Sequence, residues 1–195
     1  MANGEYATGR GTIKHICILF TLFFLSLLAA ACAASNAPNN LKVYRAKEGS
    51  LVNPIFPTYT FEYPSAWKLQ EEANHIAFAS DPRLFKDLAE TLQTGQILVG
   101  LSLNVNMAPQ DMINSYTASL AGKIQFDPMT SVIINGHHAA YQSMTNAETG
   151  DQTFVIATEI GDNLSALLTA RVARGELDLQ KEALFRIMQS IAVEK

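Results

Sequence analysis

Cysteine is scarce in this 195-residue chain: there are two, Cys17 and Cys32, both near its N-terminal end. Nothing after Cys32 can form a disulfide or offer a thiol, so the body of the chain must be held by an ordinary hydrophobic core. Basic charge is also short, with 14 Lys and Arg against 18 Asp and Glu and no basic run. That argues against nucleic acid, whose phosphates require a positive footprint, and against electrostatic docking on anionic lipid. Signatures of chemistry are missing too. No Gly-x-Ser-x-Gly elbow marks a nucleophile. Gly95 to Gly100 lacks the glycine spacing and the lysine of a phosphate loop. No His-x-His, His-x₃-His or Cys pair offers metal-ligand spacing, and no internal repeat is visible at solenoid periods.

What the chain does have is an apolar N-terminal stretch. Arg10 and Lys14 precede it, Ile16 to Leu28 forms its body, and Ala29-Ala30-Ala31 supplies small residues before Cys32. This is the order of a secretory signal: positive charge, apolar core, small residues at the cleavage point. The end of the segment resembles a bacterial lipobox, in which leucine, two small residues and a cysteine direct cleavage and lipidation. It departs from that pattern in one place, since Ala29 occupies the usual leucine position and Leu28 lies one residue too early. Residues 1–31 are therefore expected to be a signal peptide with lipobox, and Cys32 the lipidation site. Two other readings stay open. Ile16 to Ala34 is long enough to span a bilayer as an uncleaved anchor, and a plain cleaved signal would release a soluble protein. Lys42, Arg45 and Lys47 follow the segment about as closely as Arg10 precedes it, so flanking charge does not orient it. In all three cases the bulk of the chain lies outside the cytoplasm.

Removal of residues 1–31 leaves 164 residues with 12 basic and 17 acidic side chains, enough for one domain with a full core. Residues 32–40 carry the expected lipidated cysteine and then Ser35-Asn36-Ala37-Pro38-Asn39-Asn40, polar enough to be a flexible tether. From Leu41 the text is mostly strand-like. Thr58 to Tyr63 alternates aromatics with polar residues and, after Pro64-Ser65, Trp67 to Gln70 reads as the return strand of a hairpin. His75 to Ser80 is another strand. Asp81-Pro82 should open a helix reaching about Glu90.

Gln96 to Asn104 places Ile97, Val99, Leu101 and Leu103 on one face, continued by Val105, and is the clearest strand in the chain. A second helix begins at Pro109-Gln110-Asp111, with Met112, Ile113, Tyr116 and Leu120 as its stripe and Gly122 as its C-cap. Four further strands are expected at 131–134, 139–145, 153–160 and 164–173, joined by turns that include Asn135-Gly136 and Thr149-Gly150-Asp151. Glu176 to Val193 closes the chain as an amphipathic helix. Turn-linked neighbouring strands with three helices make an α+β domain, a central antiparallel β-sheet of about six to eight strands flanked by helices.

Tyr59-Thr60-Phe61-Glu62-Tyr63-Pro64-Ser65-Ala66-Trp67-Lys68 resembles the opening of PsbP-like (Mog1/PsbP/DcrB fold) domains. The close is similar to theirs as well: two long antiparallel strands, then a helix running into Met188-Gln189-Ser190-Ile191. The resemblance covers residues 41–195 and implies a PsbP-like α/β/α sandwich. Members of that family include extrinsic photosystem II proteins, a nuclear transport factor and bacterial lipoproteins without known activity, so the fold licenses no reaction.

Several residues invite a chemical reading. His137-His138 are neighbours in a strand and point to opposite faces, which favours solvated turn histidines over a metal site. His75, beside Asn74, reads as a turn residue. Glu62 and Glu71-Glu72 read as solvated carboxylates rather than a glycosidase pair. Tyr59, Phe61, Tyr63 and Trp67 read as core under a helix rather than as a ligand groove. Met107, Met112, Met129 and Met144 read as core filler. No catalytic, cofactor-binding or metal residue is expected. The expectation is a lipoprotein on the extracytoplasmic face of the cell membrane, anchored through Cys32. Its domain would be a non-catalytic accessory module for a membrane-associated protein complex; the alternative is a small-molecule or lipid carrier.

Overall fold

In the computed structural model the described residues are 40–50, 52–86, 91–120 and 122–194. The expected signal peptide, Cys17, Cys32 and the tether up to Asn39 lie outside them. In chain order the elements are β1 (Leu41–Ala46), β2 (Tyr59–Pro64), β3 (Lys68–Glu72), β4 (His75–Ala79), β5 (Ile97–Val105), α1 (Pro109–Ala118), β6 (Ile124–Phe126), β7 (Thr130–Ile134), β8 (His137–Asn146), β9 (Gln152–Gly161), β10 (Leu164–Val172), α2 (Leu177–Ser190) and β11 (Ala192–Val193).

Eight strands form the large sheet in the order β3-β4-β5-β10-β9-β8, with β6 and β7 both pairing onto β8. Every pairing is antiparallel, as short connections between successive strands require. Alternation gives this sheet two unlike faces. On one, Ile97, Val99, Leu101, Phe154, Ile156, Leu168 and Val172 are all at most 1% exposed. They pack against Leu184, Ile187 and Met188 of α2 and against the smaller sheet, β1-β2-β11. Each large apolar side chain buried this fully stabilises the fold by roughly 1.5–3 kcal/mol. On the other face α1 lays Met112 and Ile113 over Ala140, Met144, Val155 and Ala157 of β8 and β9. The result is the expected α+β arrangement of helices on both sides of an antiparallel sheet. Among the described residues no helix is long and apolar enough to cross a membrane.

Four local expectations need correction. The aromatic strand and the segment after it are not a hairpin: β2 pairs with β1 and β11, whereas β3 pairs with β4 in the other sheet. Both edges of β2 are occupied, so Pro64-Ser65-Ala66 carries the chain from one sheet to the other. The helix expected from Asp81 is a 3₁₀ turn, Pro82–Phe85, capped by Asp81 accepting from the Arg83 amide; residues 87–90 of that expectation lie outside the described ones. α1 ends at Ala118, before Gly122, with Ser119 in the C-cap position. The final helix stops at Ser190, and Ala192–Val193 pairs with β2 instead. Ile191 turns extended there and buries its side chain, ending the helix so that the chain can close the small sheet.

Candidate functional site

Among the described residues, the α1 helix covers only part of its face of the large sheet. Where the cover ends, over β4, β5 and β10, the sheet presents small residues. Register places Ala77 beside Gly100 and Gly100 beside Thr169, and one step along it places Leu98 beside Arg171 and Arg171 beside Thr153. A cleft of about 440 Å³ lies over these two rows, with Tyr116 of α1 and Phe85 of the 3₁₀ turn on its lining. Glu72 and His75, register partners on the β3–β4 hairpin, also line it. A volume of this size falls in the range of small-ligand pockets.

Gly100 sits at the middle of the most apolar strand, where glycine weakens a sheet and often marks a close approach. Its φ is not in the left-handed region, so the backbone does not demand glycine there. A Cβ at that position would lie 3.1 Å from Thr169 Oγ1. The missing side chain both seats Thr169 and keeps the cleft floor low.

The polar groups of the cleft converge at the α1 end. Arg171 Nη2 donates to Asp151 Oδ2 at 2.7 Å, and Nε donates to the same oxygen at 3.3 Å. Asp151 is nearly sealed, with its side chain 5% exposed against 26% for Arg171. The carboxylate therefore holds the guanidinium at the lining of the cleft. Burial pushes the Tyr116 phenol above its ordinary range, and the Arg171 cation pulls it the other way. The side chains of Tyr116, Thr153 and Thr169 all line the cleft.

The histidines and carboxylates that the sequence singles out lie elsewhere or at the margin. His137 and His138 open β8, both exposed, opposite Ile134 and Ile133. His137 borders an open depression of about 790 Å³ that Glu159 and Asp162 also line, and among the described residues no three metal-ligating side chains converge. Adjacent Glu71 and Glu72 alternate as strand neighbours must. Glu71 accepts from the Tyr44 hydroxyl, and Glu72 takes a bond from Gln70 at the cleft side. The Glu62 amide donates to Ser190 Oγ at 2.8 Å.

The aromatic group is core. Tyr59 and Phe61 are each 1% exposed and Trp67 8%, and Phe61 stands 5.5 Å from Phe78, ring centre to ring centre. Met112, Met129 and Met144 pack under α1, whereas Met107 is surface rather than filler. Sequence reasoning missed Ala77, Gly100, Tyr116, Thr153, Thr169 and Arg171 as a group. The lone glycine inside the 97–105 alternation was the one signal available.

No protein-family model matches this chain, and no curated protein matches it in sequence. Solved structures do resemble it. The solution structure of cyanobacterial PsbP (CyanoP) from Synechocystis sp. PCC 6803 matches with a TM-score of 0.52 at 10% identity, over 82% of this chain and 96% of that one. LpqN from Mycobacterium tuberculosis, described as involved in cell envelope biogenesis, gives 0.47 at 14% identity over 80% and 93%. PA94 from Pseudomonas aeruginosa, a protein of unknown function, gives 0.45 at 15% identity over 80% and 99%. The cyanobacterial likeness extends over almost all of that protein and concerns the backbone alone: the described residues have a PsbP-like fold.

Proposed function

We propose that this chain is a lipoprotein held at the extracytoplasmic face of a membrane through lipid on Cys32, and that its PsbP-like domain is a non-catalytic accessory module binding another membrane-associated protein. The order of parts carries this reading. A leader closes on Leu28-Ala29-Ala30-Ala31-Cys32, a short polar stretch follows, and the first strand begins at Leu41. A tether of that kind keeps a folded domain within reach of neighbours in the same membrane, raising their effective concentration. It enters the domain at β1, an edge strand of the small sheet on which Val43 is 67% exposed. Lipid supplies about 0.8 kcal/mol per buried methylene, and stable anchoring takes more than one acyl chain. The test is capture of the full chain from crosslinked membranes, beside Cys32→Ala. A reproducible partner that disappears with the substitution is expected; no reproducible partner would contradict the accessory role.

The cleft between α1 and the sheet favours a second reading, a carrier of a small molecule. Its guanidinium and hydroxyls are groups that hold a ligand in a fixed orientation. Native mass spectrometry of the chain purified from its own cells should then show a bound species, and a spectrum of the bare protein alone would count against it.

A further inference from the structure

We infer that β7 is the edge through which two copies of this chain pair on a membrane, antiparallel about Val132, so that their large sheets join into one. The inference goes beyond the accessory role and takes from it only the lipid tether. It starts from how the sheet edges are guarded. An edge strand exposes unpaired amides and carbonyls, and proteins blunt it with charge, proline or shortness. β3, at one edge of the large sheet, carries Lys68, Glu71 and Glu72, and β1, at an edge of the small one, carries Lys42 and Arg45. β6 and β11 have three residues and two. β7 has none of these guards. Thr130-Ser131-Val132-Ile133-Ile134 is uncharged, rich in β-branched residues, and pairs with β8 alone among the described residues. Register puts β7 on the side of β8 away from β9, with Ile133 62% exposed beside His138.

A second copy is the occupant that fits. Without residues 1–31 the chain carries 12 basic and 17 acidic side chains, so two copies repel wherever charge faces charge. β7 brings no charge to the contact. A two-fold axis through Val132 sets that residue against itself, Ser131 against Ile133, and Thr130 against Ile134. The two exposed Ile133 side chains become diagonal neighbours on one face, close enough to touch. Each Asp127 falls at an opposite end of the paired strands, so the two carboxylates stay apart. Five residues a side bury well under the roughly 1,200 Å² of a freestanding specific interface. The pair is therefore weak in dilute solution and forms where tethers hold many copies on one surface.

The test is oxidative crosslinking of the full chain in its own membranes, with Val132→Cys beside Leu179→Cys, an exposed position on α2. The unsubstituted chain, whose own cysteines are Cys17 and Cys32, sets the background. Facing residues of an antiparallel pair lie within disulfide reach. Val132→Cys should give a product of twice the chain's mass, Leu179→Cys should stay at background, and Val132→Cys oxidised after dilution in detergent should remain single. Val132 also packs on the core, so a second pair avoids it: Ser131→Cys and Ile133→Cys in differently tagged chains should crosslink to each other more than to themselves. Ile133→Lys, which sets two like charges side by side, should abolish the Val132→Cys product with the thermal midpoint unchanged. No product from either crosslink, equal product from Leu179→Cys, or a product of another mass would overturn the pairing. Adding Cys32→Ala should lower the product about tenfold or more. A product unchanged by Cys32→Ala would overturn the part given to the tether and leave the edge pairing standing, so the two failures are distinguishable.

Discussion

Arg171 and Asp151 stand twenty residues apart in the chain and 2.7 Å apart in space, the guanidinium on β10 and the carboxylate at the turn that leads into β9. The same carboxylate oxygen also accepts from the Leu92 amide at 3.4 Å, so this pair fastens the segment before β5 to the centre of the sheet. Its other oxygen, Oδ1, is buried with no partner among the described residues. A carboxylate so placed is tolerable only while the cation remains, because an uncompensated buried charge costs far more than the pair yields. Arg171→Met is therefore expected to lower stability by about 3 kcal/mol in urea unfolding at neutral pH. Combining it with Asp151→Leu should recover most of that loss. A double variant as unstable as the single one would show that the pair is not what holds this corner.

Phe61 is the hub where the small sheet meets the large one. Its ring lies 5.4 Å from Tyr44, 6.1 Å from Tyr63 and 5.5 Å from Phe78, centre to centre. Phe61→Ala should cost about 3–5 kcal/mol through the cavity it leaves. Tyr44→Phe removes the exposed bond to Glu71 and should change stability by less than about 1 kcal/mol. Equilibrium denaturation of both variants makes the comparison, and equal losses would contradict a buried hub.

The turn between β7 and β8 runs through Asn135 at φ 52° and Gly136 at φ 84°, the paired left-handed geometry that suits a tight hairpin. Asn135 Nδ2 also donates to the Gln189 carbonyl at 2.7 Å, tying the turn to the end of α2. Asn135→Ala replaces a residue that tolerates the left-handed region with one that does not, and loses the tie, for an expected cost of about 1–2 kcal/mol. Asn135→Gly loses only the tie and should cost roughly half as much. Thermal denaturation should rank the pair in that order.

How much of this was legible in the sequence depended on whether a segment's own side chains carried the information. β5 could be read because its apolar residues alternate, and the α1 and α2 stripes because Met112-Ile113 and Leu184-Ile187-Met188 recur at helical spacing. β1 could not, since Leu-Lys-Val-Tyr-Arg-Ala alternates poorly and buries only Ala46 fully. β6 and β11, with three and two residues, owe their existence to partners elsewhere. The aromatic strand was recognised but given the wrong neighbour, because β2 finds β1 upstream and β11 at the far end of the chain. The cleft was hidden for a stricter reason. Its floor consists of small residues on three strands, and only register sets Ala77, Gly100 and Thr169 side by side.

Alkaline titration offers a check on the packing of the small sheet. Burial raises the Tyr59 phenol to about 12, and burial together with the Glu71 bond raises Tyr44 further. In the unfolded chain both lose a proton near pH 10. Between about pH 10 and 12 the unfolded state thus holds fewer protons than the folded one, and stability falls as pH rises through that window. Ultraviolet difference spectra should show these two phenols ionising late, together with unfolding. Simple titration of every tyrosine near pH 10 would contradict their burial.

The most direct measurement is the mass of the N-terminal peptide of the mature chain recovered from membranes. A peptide that begins at Cys32 and carries glyceride-linked acyl chains is the predicted result. A peptide that retains residues 1–31, or one with an unmodified Cys32 thiol, would contradict anchoring by lipid and with it the accessory role.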